Sequence, residues 1–411
     1  MRVVYGWVML GIVSSACLAQ TSWQFVTLGD SQGYDNGVNQ IILAEIASEI
    51  VHQEVDCVLF NGDLVWSSRP ARFESELLTW RDTMKPVYDA NIPVYPCRGN
   101  HESWGSIEAW LDVFSDLPAN GPVGEEHMTY SVTHKNALIV ALDTQINRHR
   151  VNQPWLNTQL AGNTVPHVFV FGHEPAFSAF HGDCLDDFPG QRDAFWASLQ
   201  RAGGRTYFSG HDHFFNHAHV DDGDGNRDND LHQFICGTGG APFYRFSPPY
   251  TGDNTHHLVT QQFHHRGFGY LLVDVNDLDV RFIWMQRDSA DLLASGNYEP
   301  NDVWHYSVSP LMLLSPNGDE TLDAGSIHTV QWQVYEGHAI DRLILDYSVD
   351  GAQQWEPIDR VANTGSYDWQ VPNLDADRCL VRIADAERPL VHDVSFMPFV
   401  IVDPNNSMEL P

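Results

Sequence analysis

Five short apolar segments of the sequence are each followed by side chains of the kinds that bind metal ions. Carboxylate and amide oxygens and imidazole nitrogens suit a pair of hard or borderline cations, and no thiolate is needed. Two such ions bridged by a carboxylate can bind a phosphoryl group, neutralise its charge and deprotonate a water. The candidate side chains are Asp30 and Gln32 after segment 23–28, Asp63 after 55–60, Asn100, His101 and Glu102 after 92–97, His173 after 167–171, and His211 and His213 in FSGHDH.

Strand and helix patterns alternate from Trp23 to about Tyr207. The apolar segments above, together with 137–142, indicate buried strands. Repeated strand–helix–strand units predict a layered α/β domain with largely parallel strands. Sites in open α/β sheets form beyond the carboxyl ends of strands, so we expect the candidate side chains to lie together. Apolar residues at helical spacing predict helices in segments 38–52, 71–90, 153–160 and 192–203.

The pattern changes after Gly210. Residues 232–236, 269–275 and 280–285 predict strands without helices between them, and 288–304 has the composition of a linker. From 309 to 403, short alternating runs are separated by turn residues, which is typical of a β-sandwich.

The order of the candidate blocks resembles a known family. GD, GDL, GNHE, GHEP and GHDH follow one another along the chain, and over about residues 23–306 they resemble the five signature blocks of calcineurin-like metallophosphoesterases. One such dipeptide is common in turns, whereas five in this order form a specific signal. The resemblance implies a four-layer α-β-β-α sandwich at residues 20–306 that hydrolyses a small phosphomono- or phosphodiester.

The resemblance also implies a role for each candidate residue. Two divalent or trivalent ions of manganese, iron or zinc are expected, with attack on phosphorus by a hydroxide that bridges them. His101 is expected to protonate the leaving oxygen as general acid, and Glu102 to position the turn or an imidazole. The expected ligands are Asp30 and His213 for the first ion, Asn100, His173 and His211 for the second, and Asp63 for both.

Two residues depart from the family pattern. The family often has histidine two residues after its first aspartate, where this chain has Gln32. An amide oxygen coordinates more weakly than imidazole, so the first ion is expected to be held loosely or to be of a different kind. The purple acid phosphatase branch has a tyrosine ligand three residues after the bridging aspartate, where this chain has Trp66. A purple charge-transfer enzyme is therefore not expected.

The C-terminal segment 307–411 resembles an Ig-like or fibronectin-like accessory domain of secreted bacterial proteins. The resemblance is carried by SPNGDETLDAGSIHTVQWQV, LDYSVDGAQQW and GSYDWQVP. No catalytic cluster stands out in this segment. Binding of an extracellular polymer, packing on the enzyme and spacing of the enzyme stay open as its role.

Composition limits the location and the partners. Residues 1–19 have the charged, apolar and small-residue order of a signal peptide, with cleavage expected after Ala19. No other stretch is apolar enough to cross a membrane, so we expect a secreted or periplasmic protein. The 411 residues include 54 acidic and 22 basic ones, a formal net charge of -32. Such a surface repels polyanions, which makes duplex nucleic acid a poor partner.

Other groups have two interpretations each. Aspartates at alternate positions of 222–230 suggest a structural calcium ion, but the segment lacks the glycine and glutamate of a calcium loop, which favours an exposed turn. The glycine-rich segment 237–242 is interpreted as structural, and Cys57 as a buried thiol. The histidines 256, 257, 264 and 265 are interpreted as surface residues. The groups left open are the loop with His181, Asp183, Cys184, Asp186 and Asp187 (pocket wall or solvated loop), His217 and His219 (support for the metal ligands or strand exposure), and segment 242–250 (pocket wall or packing).

A second function class competes with the enzyme. Gln32 and the appended β-region also fit an extracellular binding or adhesion protein whose phosphoesterase-like domain is not catalytic. Against it, every other expected ligand and His101 are present. Metal content and turnover separate the two hypotheses.

Overall fold

The computed structural model describes residues 21–403, except 68, 226, 228, 245–250, 255–256, 293–294, 319, 335–338, 390 and 396, and except the side chains of 251–254 and 257. The signal peptide predicted at 1–19 lies outside these residues. Every helix in the described part of the chain is too short or too polar to cross a membrane.

Among the described residues, the N-terminal region contains six α-helices and sixteen strands, besides short 3₁₀ helices at Pro70–Arg72, Glu102–Trp104 and Leu185–Asp187. The helices are α1 Gln40–His52, α2 Phe73–Thr83, α3 Lys85–Asp89, α4 Ile107–Val113, α5 Gln153–Ala161 and α6 Pro189–Arg201. The strands are β1 Ser22–Leu28, β2 Gln32–Gly33, β3 Gly37–Val38, β4 Cys57–Phe60, β5 Val94–Pro96, β6 Tyr130–His134, β7 Ala137–Leu142, β8 His167–Gly172, β9 Thr206–Ser209, β10 Phe215–Asp221, β11 Leu231–Cys236, β12 Thr251–Asn254, β13 His257–His265, β14 Gly269–Asn276, β15 Asp279–Arg287 and β16 Tyr298–Ser307.

Two mixed sheets form the centre of this region. The first has the order β16-β15-β14-β1-β4-β5, and the second has the order β12-β13-β10-β11-β9-β8-β7-β6. The strands that carry the candidate side chains are parallel, namely β1, β4 and β5 in one sheet and β8 and β9 in the other. The remaining pairs are largely antiparallel, and the segments after Gly210 form strands without helices between them, as predicted.

The sheets pack face to face, and helices cover their outer faces. Phe25 of β1 contacts Phe169 of β8, with ring centroids 4.9 Å apart. On the outside, Trp80 of α2 packs on Phe60 of β4 with centroids 5.0 Å apart, while Leu156 of α5 and other residues of α5 and α6 share a core with β7 and β8. The predicted α/β fold with α-β-β-α layers is therefore confirmed.

Helix α1 shows why the local sequence folds in this way. The side chain of Asn39 accepts a hydrogen bond from the backbone N–H of Ile42 and caps the first turn. Ile42, Ile46 and Ile50 recur every four residues and are buried against the first sheet. Each such side chain contributes roughly 1.5–3 kcal/mol when fully buried.

The interpretation of 288–304 as a linker is wrong for its second half. Residues Tyr298–Ser307 form β16, which pairs antiparallel with β15 at the edge of the first sheet. Most of its side chains are exposed or half-buried. An edge strand is held by backbone hydrogen bonds on one side, so it needs no apolar run that a sequence pattern would reveal.

The C-terminal region is all β among its described residues, as predicted. Its sheets have the orders β17-β19-β22 and β18-β25-β23-β20-β21, with β24 on β23. They enclose a core that includes Trp332, Trp369 and Phe399. The boundary at 306/307 stays a prediction. The strands are β17 Leu311–Ser315, β18 Thr321–Asp323, β19 Ile327–Val334, β20 Arg342–Ser348, β21 Glu356–Ala362, β22 Ser366–Gln370, β23 Ala376–Asp385, β24 His392–Val394 and β25 Phe399–Val402.

Two neighbouring carboxyl groups join the two regions, one buried (Asp393) and one half-buried (Asp279). Asp279 of β15 and Asp393 of β24 hydrogen-bond to each other, and Ser307 also hydrogen-bonds to Asp279. Burial and the neighbouring carboxyl raise the pKa of Asp279 well above its ordinary value. Burial raises the pKa of Asp393 to about 6. The folded protein therefore holds protons here that the unfolded chain releases near pH 4.

We expect Asp279→Asn to stabilise the protein at pH 8 and to change little at pH 4. Because the folded-state pKa values are raised, the pair's contribution to stability falls as the pH rises through about 6. The asparagine amide can still donate to Asp393, and its oxygen can still accept from Ser307. Each pKa unit is worth about 1.4 kcal/mol, so a gain of a few kcal/mol is expected. Urea unfolding at both pH values measures it.

The matched control is Asp323→Asn, which changes an exposed aspartate of β18. It should leave the pH profile of stability as in the wild type. If the free energy of unfolding of Asp279→Asn falls between pH 4 and pH 8 as steeply as that of the wild type, the two carboxyl groups do not share a proton.

Candidate metal centre

The candidate side chains come together where parallel strands of the two sheets end. Asp30 follows β1, Asp63 follows β4, Asn100 follows β5, and His173 follows β8. His211 and His213 follow β9. All are buried except Asn100, which is half-buried. The strand ends thus bring these side chains to one place, as expected.

Three of these side chains converge on one point. Oδ1 of Asn100 lies 2.9 Å from Nε2 of His173 and 3.0 Å from Nδ1 of His211. The two imidazole nitrogens are 3.2 Å apart. Nδ1 of His173 donates to the carbonyl oxygen of Asn61 at 2.8 Å, which directs Nε2 into the cluster. With the proton of His173 on Nδ1, Nε2 of His173 and Oδ1 of Asn100 both direct lone pairs to this point, which suits a proton or a metal cation.

Asp63 connects this trio to a second group. Its Oδ1 lies 3.4 Å from Nε2 of His173, and its Oδ2 accepts from the Gln32 amide at 3.1 Å. Burial by itself would raise the pKa of the Asp63 carboxyl, but His173 and His101 hold it well below its usual range. Conversely, the charges of Asp63 and Asp30 overcome burial and raise the pKa of His173 to about 10. The cluster therefore stabilises positive charge, whether that of a proton or that of a metal cation.

The second group contains Asp30, Gln32 and His213. Nε2 of His213 lies 3.4 Å from Oδ1 of Asp30 and 3.1 Å from Nε2 of Gln32. Nδ1 of His213 donates to the carbonyl oxygen of Pro242 at 2.8 Å, which leaves Nε2 directed at Asp30. Oε1 of Gln32 is buried and has no hydrogen-bond partner among the described residues. Turning this amide over would place Oε1 beside Asp63 and His213, where it could bind a cation.

Backbone strain and glycines let the carboxylates approach. Asp30, Asp63 and His211 have φ values of 60°, 50° and 71°, in the left-handed region that side chains rarely adopt. A Cβ atom at Gly99 would overlap Oδ1 of Asp63, and one at Gly210 would overlap Oδ2 of Asp30. The glycines of the GN and GH blocks are therefore needed because a carboxylate occupies the space beside them.

Glu102 organises the backbone around Asp63. Its Oε2 accepts from the N–H groups of Asp63 at 2.9 Å and Gly99 at 2.8 Å, and its Oε1 accepts from Val65 at 3.1 Å. Burial and the charge of Asp63 raise the pKa of Glu102 to about 7. Its contacts are those of a positioning residue. Its expected role in positioning the turn stays a prediction.

We expect Glu102→Gln to weaken metal binding by roughly 10–100-fold, the range for lost outer contacts of a metal site. Both oxygens of Glu102 accept from backbone N–H groups. In glutamine the NH₂ group would replace one of these oxygens, so at least one backbone N–H would lose its acceptor. Calorimetric titration of the metal-stripped protein with Mn²⁺ measures the affinity. Glu74→Gln is the control, because Glu74 is exposed on α2. Unchanged affinity in Glu102→Gln would show that the turn keeps its shape without this carboxylate.

His101 lies beside the cluster with a defined orientation. Its Nδ1 donates to the carbonyl oxygen of Trp66 at 2.6 Å, which turns Nε2 toward Oδ2 of Asp63, 3.7 Å away. The ring lies between Trp66 and Trp104, with centroid distances of 5.0 and 4.9 Å. Its backbone N–H donates to Oδ1 of Asp63 at 3.0 Å. A nitrogen held in this way can transfer a proton to a group bound at the centre.

Part of the loop left open by the sequence reaches this centre. Nδ1 of His181 donates to Oδ1 of Asp212 at 2.8 Å, and the His181 ring contacts that of His211. Oδ1 of Asp183 lies 3.6 Å from Nε2 of His211. By contrast, Cys184 is buried and Asp186 pairs with Arg192, while Asp187 lies 3.7 Å from His149.

Several residues at the centre are not among the candidates from sequence. Asp212 orients His181, and Tyr244 stacks on His213 with centroids 4.3 Å apart. Tyr244 belongs to segment 242–250, of which only 242–244 are described. Its contact with His213 agrees with the interpretation of this segment as a pocket wall. Asp212 lies inside the GHDH block, so this motif could have marked Asp212 as a candidate.

The glycine-rich segment 237–242 supports the turn of Asp30. Gly239 donates to the carbonyl oxygen of Gly29 and Ala241 to that of Asp30, both at 2.8 Å. Its interpretation as structural agrees with these contacts.

Strand exposure is wrong as an interpretation of His217 and His219. Both are buried: His217 contacts Asp302 at 2.9 Å and His232 at 2.7 Å, and His219 contacts Asp230 at 2.7 Å. They form a separate polar cluster, because none of these partners is a candidate ligand of the two-metal centre. His264 and His265 are half-buried on β13. His256 lies outside the described residues.

The proposed calcium segment is only partly described. Carboxylates of Asp221, Asp222 and Asp230 lie within 4.8 Å of one another. Asp224 is exposed, as the turn interpretation predicts. Asn226 and Asp228 lie outside the described residues.

Comparison with known proteins identifies the family of the N-terminal region. Residues 24–215 match the family model described as calcineurin-like phosphoesterase. No curated protein matches the chain significantly. Among solved structures, the fibronectin(III)-like modules of CbhA from Clostridium thermocellum match at 12% identity. The match covers 51% of this chain and 93% of that chain, and its TM-score of 0.18 is too low to indicate a shared fold. All candidate ligands fall between residues 24 and 215, and the chain therefore contains a calcineurin-like phosphoesterase domain.

Proposed function

We propose that the chain is a metal-dependent phosphoester hydrolase with two metal ions. The observation that carries this is the convergence of Asn100, His173 and His211 at 2.9–3.2 Å beside the Asp63 carboxylate. Asp30, His213 and Gln32 would hold the first ion, the trio the second, and Asp63 both. When bound, such ions neutralise phosphoryl charge and lower the pKa of water to supply the nucleophile.

The chain's own residues would do the rest of the chemistry. His101, with Nδ1 fixed on Trp66, would hold a proton at Nε2 for the leaving oxygen. Glu102 would keep the turns of Asp63 and Gly99 in register. The identity of the ions (manganese, iron or zinc) is part of the proposal and is open between these metals.

The test is hydrolysis of p-nitrophenyl phosphate and bis(p-nitrophenyl) phosphate by metal-stripped protein supplied in turn with Mn²⁺, Zn²⁺, Fe²⁺ and Ca²⁺. Turnover restored by Mn²⁺, Zn²⁺ or Fe²⁺ supports the proposal. A folded protein that binds two ions but turns over neither substrate would favour the alternative of a non-catalytic binding protein. A protein that binds no ion would exclude the metal centre.

We further propose that the protein is exported, with cleavage after Ala19. The support is the residue order of 1–19. N-terminal sequencing of protein recovered outside the cytoplasm would begin at Gln20. A mature protein that keeps Met1 would contradict export by this route.

A further inference from the structure

Exposed aromatic rings are concentrated around the metal centre. In the described part of the chain, the aromatic side chains that are more than a third exposed are Tyr34 (71%), Trp104 (55%) and Phe180 (39%). Each belongs to a group of contacting rings that includes or touches a residue of the centre. Rings exposed to water in this way usually mark a surface that binds something.

The first ring wall consists of Tyr34, Trp66, His101 and Trp104. Successive centroids are 4.9, 5.0 and 4.9 Å apart, so the rings form one continuous surface. His101 is its central member and is directed at Asp63. A group departing toward His101 would therefore meet the rings of Trp66 and Trp104.

The second ring wall consists of Phe180, His181 and Tyr244. Phe180 stacks on Tyr244 at 4.7 Å with nearly parallel planes, and Tyr244 stacks in turn on His213 at 4.3 Å. His181 contacts both Tyr244 and His211. This wall thus rises from the histidines of the centre, on residues that the first wall does not touch.

Charge at the rim distinguishes between classes of phosphoester. Asp183 lies 3.6 Å from His211, and its side chain is 60% exposed. Its carboxylate disfavours a phosphomonoester dianion more than a phosphodiester monoanion. A phosphodiester also has two organic groups, one for each ring wall, whereas a phosphomonoester has only one.

We propose that the two ring walls bind the two organic groups of a phosphodiester, and that these groups are planar, as in aryl or nucleobase-containing esters. The leaving group lies on the first wall beside His101, and the retained group lies on the second wall. This inference rests on the proposed hydrolase function. Stacking on an aromatic side chain is tolerant of ring type, so the walls select planarity rather than one base.

The test compares two diesters with the same leaving group and the same charge. Bis(p-nitrophenyl) phosphate has a planar retained group, and methyl p-nitrophenyl phosphate has none. Phe180→Ala should lower kcat/KM for the first diester about 10-fold more than for the second, the size of one lost stacking contact. Trp104→Ala should lower both about equally, since both lose the ring under the leaving group. Phe180→Tyr and Trp104→Phe keep a ring and should restore the wild-type values.

Binding without turnover gives a second measurement. Calorimetry with phosphinates, whose P–C bonds are not hydrolysed, should show that diphenylphosphinate binds the wild type at least ~10-fold more tightly than dimethylphosphinate, and that this preference is lost stepwise in Trp104→Ala and Phe180→Ala. Ile327→Ala is the control, because Ile327 is an exposed apolar residue of the C-terminal region. It should change neither measurement.

The outcomes separate the two proposals. If metals restore turnover but Phe180→Ala affects both diesters equally, the ring walls do not bind the substrate and only this inference fails. If no metal restores turnover of any ester, the hydrolase function fails and this inference fails with it. Stronger hydrolysis of p-nitrophenyl phosphate than of either diester would also overturn the assignment to diesters.

Discussion

Asp63→Asn should abolish metal-dependent hydrolysis and release bound metal. The Asp63 carboxylate contacts a side chain in each half of the centre, His173 through one oxygen and Gln32 through the other. Asparagine has the same size and tolerates the left-handed backbone at this position, where φ is 50°. The substitution therefore isolates the loss of charge from any change of shape.

The expected loss of kcat/KM is at least ~10³-fold, above the 10–100-fold typical of an outer contact of a metal site. Metal content after dialysis, measured by mass spectrometry, should fall for both ions. Asp82→Asn, an exposed position on α2, is the control and should keep activity and metal. Wild-type turnover in Asp63→Asn would rule out the bridging role.

His101→Ala should slow esters with poor leaving groups far more than esters with good ones. The alkoxide of an alkyl ester needs a proton, and general acid catalysis is typically worth 10²–10⁴-fold. The p-nitrophenolate ion leaves without one, so its ester should be slowed much less. Metal content should be preserved, because the His101 side chain is bonded to the Trp66 carbonyl oxygen.

The measurement is the dependence of kcat on leaving-group pKa across a series of aryl and alkyl esters. It should become steeper in His101→Ala than in the wild type. His328→Ala, a half-buried histidine of β19, is the control. Equal slowing across the series would mean that His101 supports the site without acting as an acid.

The positions of the candidate ligands could be predicted because their signal is local. A glycine and a polar side chain directly after a buried strand define both the turn and the sheet edge where the side chain lies. Asp30, Asp63, Asn100, His173, His211 and His213 all meet at that edge. The α/β core could be predicted for the same reason, since helix α1 and strand β4 have regular apolar patterns.

Features that depend on distant partners could not be predicted. Strand β16 has a polar sequence and exists because β15 offers it a free edge. The buried pair of His217 and Asp302 joins residues far apart in the chain, so neither residue alone indicates burial. The ring walls bring together residues from five separate segments, and their alignment comes from the fold around the centre.

The pairing of β1 has a consequence for the order of folding. β1 lies between β4, which follows it closely in the chain, and β14, which lies near the far end of the same region. The turn of Asp30 also receives its hydrogen bonds from Gly239 and Ala241. During synthesis β1 therefore keeps an unpaired apolar edge until most of the chain exists, and such long-range pairing is slow. The nascent chain should need protection from aggregation over that interval, and the metal centre should acquire its affinity late and in a single step.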